Sequence, residues 1–229
     1  RGMDVPEEKI AIIPNAINLS EYRDLPTKGC FKKKFNIPED EKVILYLGRI
    51  HKTKGIDFLI KAYAHLIKNL THDNAILVIA GPDDGYLDKV KQLTSYLKIA
   101  DTVMFTGMLS EKEKVSAYVD SDMAVNVEPR NVFGLVPLEA AACSTSVIVS
   151  EGNAISEIVR RGKFGFSVKY GEINELAESM DKILDDGDLL RDMGQKGREF
   201  IFENCNWANI VTKLEKIYKE AWKIDGISM

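Results

Sequence analysis

Short, nearly continuous apolar runs alternate with longer amphipathic stretches along most of this chain. Val43–Leu47, Ile76–Ala80, Val103–Phe105, Ala124–Val127, Val147–Val149 and Gly165–Val168 are runs of four to eight residues or slightly fewer, the pattern of strands buried on both faces. Between them apolar residues recur at helical spacing. Ile56, Leu59, Ile60, Tyr63, Ile67 and Leu70 share one face of a helix expected over 55–70. Further helices are expected over 86–97, 110–119, 135–143 and 154–161. Ser110 followed by Glu113 marks the start of the second of these as a capping box. Two or three helices over 172–185, 188–203 and 207–222 follow without strands between them. Residues 9–13 form a short apolar run stopped by Pro14, and residues 15–40, with Pro26 and Pro38, read as loop.

Strands separated by helices, and apolar throughout, predict an α/β fold. The expected architecture is a Rossmann-like, doubly wound parallel sheet of about six strands with helices on both faces. Ligands of such folds bind outside the carboxyl ends of the strands. That rule selects the loops 48–55, 81–85, 106–110, 128–134 and 150–154 as the places where chemistry belongs.

Composition narrows the function classes. The chain has 229 residues, 45% hydrophobic and 29% charged, with a net charge of −4. Mixed signs without a basic stripe leave no nucleic-acid footprint. No apolar run approaches the ~20 residues that cross a bilayer, and no signal-peptide pattern is visible. The three cysteines are widely spaced, which suits a reducing cytoplasm and gives no disulfide framework. A cytoplasmic protein is expected. Cys143 reads as a small buried hydrophobe. The cluster Lys32-Lys33-Lys34 reads as a solvated helix face. The opening Arg1-Gly2-Met3 reads as a cut within a longer chain.

Two of the selected loops carry candidate chemistry. Gly48-Arg49-Ile50-His51-Lys52-Thr53-Lys54-Gly55 sets two cations, Arg49 and Lys54, before a helix. Cations are disfavoured at a helix start, and a bound anion would resolve the conflict. Arg can fork two phosphate oxygens and Lys adds a point charge. The residues alone leave open a phosphate site or a plain basic loop, with His51 a lesser candidate for the same anion. Neither GxxxxGK[ST] nor GxGxxG is present. The second loop leads from Val127 through Phe133-Gly134 into a helix carrying Glu139. A glycine at such a mouth lets a ligand approach the backbone, the first amides can meet an anion, and a carboxylate one turn on can hold a sugar hydroxyl. Asp83-Asp84 reads as a turn. No Asp-x-Asp or His cluster along the chain is read as offering a metal site, so none is expected.

Taken in order, GRIHKTKG, LVIAGPDDG, VMFTGML and VFGLVPLEAAACSTSVI resemble the C-terminal domain of a family 4 (group 1) retaining glycosyltransferase of the two-domain GT-B fold. The likeness runs from about Asn15 to about Tyr218. It implies that the donor substrate is a nucleotide diphosphate sugar (UDP, GDP or ADP), used without a cofactor or metal. Arg49 and Lys54 match the pair that binds the donor diphosphate as leaving group. Glu139 matches the second carboxylate of the family's Glu-x(7)-Glu motif, which holds the nucleotide ribose. Phe133, Gly134, Leu135 and Val136 match the turn and helix start facing the phosphates and sugar. Gly48 belongs to the phosphate loop, Met108 and Leu109 to the loop against the base, and Gly81 to a strand end near the cleft. The catalytic set implied is thus Arg49, Lys54, Glu139 and Asn131.

The chain also departs from that pattern. Asn131 stands where the first Glu of the motif is expected, keeping an acceptor but losing the charge. Glu128 lies nearby, but Pro129 is expected to send it to solvent. Ser144 and Ser146 replace a Gly and a Pro, and Asn153-Ala154 replaces a Gly pair near the donor sugar. These changes leave an active enzyme with shifted donor choice as the first reading, and a degenerate sugar-nucleotide-binding or scaffold module as its rival. Another GT-B enzyme, such as a sugar-nucleotide epimerase, is the third. The resemblance further implies a linker remnant over 1–20 and a donor-binding domain over 21–206. The helix over 207–229, striped with Trp207, Ile210, Leu214, Tyr218 and Trp222, is expected to pack toward a missing N-terminal domain of about 200 residues. That domain would hold the acceptor, a glycan, lipid or small molecule. Peripheral membrane contact of the full-length protein stays open.

Overall fold

The computed structural model of the chain describes Pro6, Ile10, Ala11, Ile13 and residues 15–70, 72–129 and 134–224. Asn131 and Phe133 therefore lie outside the described residues. Six strands form one sheet: β1 Lys42–Leu47, β2 Ala75–Ala80, β3 Val103–Gly107, β4 Met123–Asn126, β5 Ser146–Ser150 and β6 Gly165–Val168. Their order is β3-β2-β1-β4-β5-β6, and every pair is parallel. This is the doubly wound arrangement that the apolar runs predict. The winding reverses between β1 and β4, the place where folds of this kind bind their ligands.

The helices are α1 Cys30–Lys34, α2 Ile56–Asn69, α3 Leu87–Tyr96, α4 Glu111–Asp120, α5 Val136–Ala142, α6 Ala154–Gly162, α7 Ile173–Asp185, α8 Gly187–Asn204 and α9 Trp207–Ile224. Alternate strand residues divide between two cores. Ile44, Tyr46, Leu77, Ile79, Met123, Val125 and Ile148 face α2, α3 and α7. Val43, Leu45, Val78, Ala80, Ala124, Val147 and Val149 face α1, α4, α5 and α6. A period of two with both sides apolar explains why these runs do not alternate with polar residues. The capping box of Ser110 and Glu113 is present at the start of α4.

The loop expected over 15–40 is a correction. It holds a 3-10 turn at Leu19–Tyr22 and the five-residue α1. So short a helix is not stable alone. Its amides are caught by a carboxylate from the far end of α4: Gly29, Phe31 and Lys32 N–H donate to Asp120 at 2.5, 2.7 and 3.0 Å. Lys32 is buried, with Nζ donating to the Glu39 and Glu41 carbonyls at 2.9 and 2.6 Å, and is not part of a solvated face. Ile17, within the segment read as a linker, is also docked: its N–H donates to the Cys205 carbonyl at 3.1 Å. Cys143 is buried, and burial pushes its thiol up to about 12. Along α9 only part of the expected stripe packs: Ile210 is buried, whereas Trp207, Tyr218 and Trp222 are exposed, as is Val211 beside them. No helix among the described residues is long and apolar enough to cross a membrane.

Asp120 accepts from three amides, of which those of Phe31 and Lys32 are buried. Asp120→Ala is expected to cost about 3 kcal/mol in urea unfolding, and Asp120→Asn, which keeps one carbonyl oxygen, about half of that. A loss under about 0.5 kcal/mol for the alanine variant would show that α1 is held by packing alone.

Candidate functional site

The loops after β1, β2 and β3 are stitched together by their backbones. Gly48 N–H donates to the Ala80 carbonyl, Gly81 N–H to the Gly107 carbonyl and Ile50 N–H to the Pro82 carbonyl, at 2.9, 2.8 and 2.9 Å. Gly81 lies so close to Gly48 that a Cβ on it would meet the Gly48 carbonyl oxygen at 1.9 Å. The Tyr46 hydroxyl donates to the Arg49 carbonyl at 2.8 Å, which pins the first turn of the loop. His51 caps the 3-10 turn Lys52–Lys54 through its Nδ1, which the Thr53 N–H approaches at 3.3 Å. That accounts for His51 as a structural group.

Both predicted cations are placed at this end of the sheet, and both have carboxylate partners that the sequence did not lead us to expect. Arg49 Nη1 lies 2.6 Å from Asp84 Oδ2, with side-chain exposures of 62% and 42%. Lys54 Nζ lies 2.8 Å from Glu128 Oε1, with exposures of 25% and 16%. Glu128 thus turns inward despite Pro129, correcting the expectation that it faces solvent. The reason is the path of the preceding residues. Val127 is buried, and its carbonyl packs against Gly55, so the chain leaving β4 runs alongside Lys54. Gly55 has φ of 73°, and a Cβ there would stand 2.1 Å from the Val127 oxygen. Asp83 is the turn residue expected, accepting from the Tyr86 and Leu87 N–H groups at 3.0 Å each. Those amides hold its carboxyl below the usual carboxylate range. A cleft of about 280 Å³ lined by His51, Lys52, Asp84, Gly85, Tyr86 and Lys89 opens beside the Arg49–Asp84 pair.

Glu139 sits in the first turn of α5, mostly buried, and its carboxylate is held at both oxygens. The Tyr118 hydroxyl donates to Oε2 at 2.9 Å, and Lys114 Nζ reaches Oε1 at 3.4 Å. Burial, and then the neighbouring Glu139 carboxylate, pushes the Tyr118 phenol well above its usual range. Tyr118 therefore stays a donor. Each carboxylate oxygen retains a further lone pair for a ligand hydroxyl. Tyr118 and Lys114 were missed in the sequence. Their signal is an i, i+4 pair on α4 whose polar tips share a face with apolar neighbours. Gly134, Leu135 and Val136 form the approach to α5, with Leu135 exposed and Val136 packed on the core. Pro137 stands in the first turn and has no N–H, and α5 has seven residues, so few amides are offered there. Met108 is exposed and Leu109 packs against the core. At the end of β5, Ser150 Oγ is buried without a hydrogen-bond partner.

Two Asp-x-Asp triplets occur outside these loops, and both serve the fold. Asp120 holds α1, Asp122 accepts from the Val43 N–H at 2.7 Å, and Asp186 caps α8. Among the described residues the one cluster of three metal-capable groups is His72, Asp181 and Asp185. It joins the entry to β2 with the end of α7, away from the carboxyl ends of the strands. Asn153 caps α6 and Glu157 pairs with Arg160.

The model of the family described as "Glycosyl transferases group 1" matches residues 28–200, which takes in the loops at the carboxyl ends of the strands. The chain belongs to the group 1 glycosyl transferases. An uncharacterized glycosyltransferase of Methanocaldococcus jannaschii is 30% identical over 97% of this chain and 57% of its own length. The N-acetyl-alpha-D-glucosaminyl L-malate synthase of Bacillus anthracis is 29% identical over 96% of this chain and 56% of its own. Among solved structures, sucrose-phosphate synthase from Thermosynechococcus elongatus superposes with a TM-score of 0.78 at 27% identity, over 93% of this chain and 52% of that one. The chain spans about half the length of the relatives it matches, and it carries the C-terminal half of the GT-B fold of these glycosyltransferases.

The juxtaposition of Lys54 and Glu128 depends on Gly55. Gly55→Ala is expected to cost about 2–3 kcal/mol, combining left-handed strain with a backbone collision. Gly85→Ala carries similar strain (φ 77°) but meets nothing within 4 Å, and should cost about 1 kcal/mol. Equal losses in chemical denaturation would mean that the Val127 contact relaxes freely.

Proposed function

We propose that this chain is the donor-binding half of a retaining, metal-independent glycosyltransferase that takes a nucleotide diphosphate sugar. The observation that carries the reading is the meeting of two loops at the reversal point between β1 and β4. One brings Lys54 and the other leads to Glu139, whose carboxylate is fixed by Tyr118 and Lys114. In this reading the ribose hydroxyls take the free lone pairs of Glu139. The diphosphate lies toward Lys54 and Arg49, and the donor sugar lies beyond them. Breaking the glycosyl–phosphate bond builds negative charge on the departing diphosphate. Cations fixed there stabilise the transition state more than the ground state. They fill the charge-neutralising role that a divalent ion plays elsewhere, so the reaction needs neither metal nor cofactor.

The acceptor would be bound by a preceding Rossmann-like domain in the full-length, cytoplasmic protein. The exposed Trp207, Val211 and Tyr218 on α9 supply an apolar surface for that domain to cover. The intact placement of Glu139 and Lys54 favours a working donor site over a degenerate scaffold.

Isothermal titration of the chain with UDP, GDP and ADP at millimolar concentration tests this. One of them should bind, and Lys54→Gln should weaken it about tenfold through the loss of one charge-assisted contact. Glu139→Gln should weaken it as well, while uridine, guanosine or adenosine should feel the Glu139 change but not the Lys54 change. Absence of heat with all three nucleotides would sink the donor-site reading.

A further inference from the structure

Glu128 is not accounted for by the donor-site chemistry, and its place is unusual. Lys54 is the less exposed of the two candidate phosphate-binding cations, and its ammonium already has a carboxylate at 2.8 Å. The pair is not a surface accident. Three-quarters of the lysine side chain and more of the glutamate are covered, and the two residues come from loops held together by the Gly55–Val127 backbone contact. Resting on the donor-site reading above, we infer that Glu128 is an affinity-determining residue of that site. Its carboxylate is an internal competitor with the donor diphosphate for Lys54.

The physical argument is one of exchange. A diphosphate that reaches Lys54 meets a resident anion. If the carboxylate stays, two like charges share one cation in a partly desolvated place, which is unfavourable. If it leaves, the Lys54–Glu128 pair is broken and the carboxylate must be solvated elsewhere. Either way the donor binds more weakly than it would to a free lysine. The Arg49–Asp84 pair poses the same exchange at far lower cost, because both groups are well exposed and water already screens them. The two cations of the site are therefore unequal. Arg49 can be taken from Asp84 readily, whereas Lys54 is released only against a competitor of higher charge. A diphosphate can meet that condition, and a neutral sugar hydroxyl cannot. The backbone before Glu128 is anchored by the buried Val127, and Pro129 restricts the dihedrals of Glu128 itself, so the side chain is the part that moves.

A double-mutant cycle read by calorimetry tests the inference, using the nucleoside diphosphate (UDP, GDP or ADP) that the wild-type chain or E128Q binds most tightly. Glu128→Gln keeps the shape and removes the charge. It should tighten binding about tenfold, equivalent to about 1.4 kcal/mol. The gain should vanish in a Lys54→Gln background, where E128Q/K54Q should match K54Q within about twofold. Thermal melts check that each variant is folded, and Glu128→Ser is read in the same way should E128Q not fold. Unchanged or weaker binding in E128Q would overturn the inference while leaving the donor reading standing. An equal gain with and without Lys54 would also overturn it, because the effect would then be a general change of field. No binding by the wild type or any variant would instead remove the donor reading, and the inference with it.

Discussion

The functional end of this sheet is organised by one close backbone contact. Gly55 is held in the left-handed region with its α-carbon against the Val127 carbonyl, a distance no side chain permits. The contact joins the loop leaving β1 to the chain leaving β4, the two strands between which the winding reverses. Lys54 and Glu128 take their positions from this join. Lys54 is the residue before Gly55, Glu128 is the residue after Val127, and α5 with Glu139 begins where the second loop ends. A second close approach, Gly81 against Gly48, fixes the other side of the first loop and sets Arg49 opposite Asp84. The sheet supplies the rigid frame, and these glycines allow loops from three strands to crowd onto its edge.

On that frame the electrostatics are balanced without a ligand. Arg49 and Lys54 each face a carboxylate, and the Glu139 carboxylate is held by a phenol and an ammonium. Burial decides what each pairing means. The exposed Arg49–Asp84 pair is worth little in water and yields easily. The covered Lys54–Glu128 pair resists separation, because a charge stripped of its partner in a partly buried place carries a desolvation cost. Glu139 resembles neither. Its partners satisfy only part of its capacity, so it can accept a ligand's hydroxyls without giving anything up.

The strands and long helices were legible because their signals are local. A strand covered on both faces must be apolar at every position, and α2 must repeat its apolar face every turn. The five-residue α1 was not legible, since its stability comes from Asp120, some ninety residues on, and from burial of a lysine that sequence alone places in water. The site was half legible for the same reason. Arg49, Lys54 and Glu139 are marked by residue type within a loop or first turn. Their partners Asp84, Glu128, Tyr118 and Lys114 come from other elements and are chosen by packing. Pro129 gave a misleading cue at Glu128, because the direction of that side chain is set by Val127 packing on Gly55. The family pattern flagged Ser144 in place of a glycine, and its φ of 62° shows the backbone shape that glycine would serve.

The loops at the reversal of the sheet are thus proposed as a grip for a nucleotide diphosphate. A crystal structure of the chain with bound nucleoside diphosphate tests that most directly. A ribose hydroxyl is expected within hydrogen-bond reach of Glu139, with a phosphate oxygen on Lys54 Nζ and the Glu128 carboxylate moved away from it. A nucleotide lodged elsewhere on the domain, or one in the crevice with the Lys54–Glu128 pair intact and its phosphates turned to solvent, would contradict it.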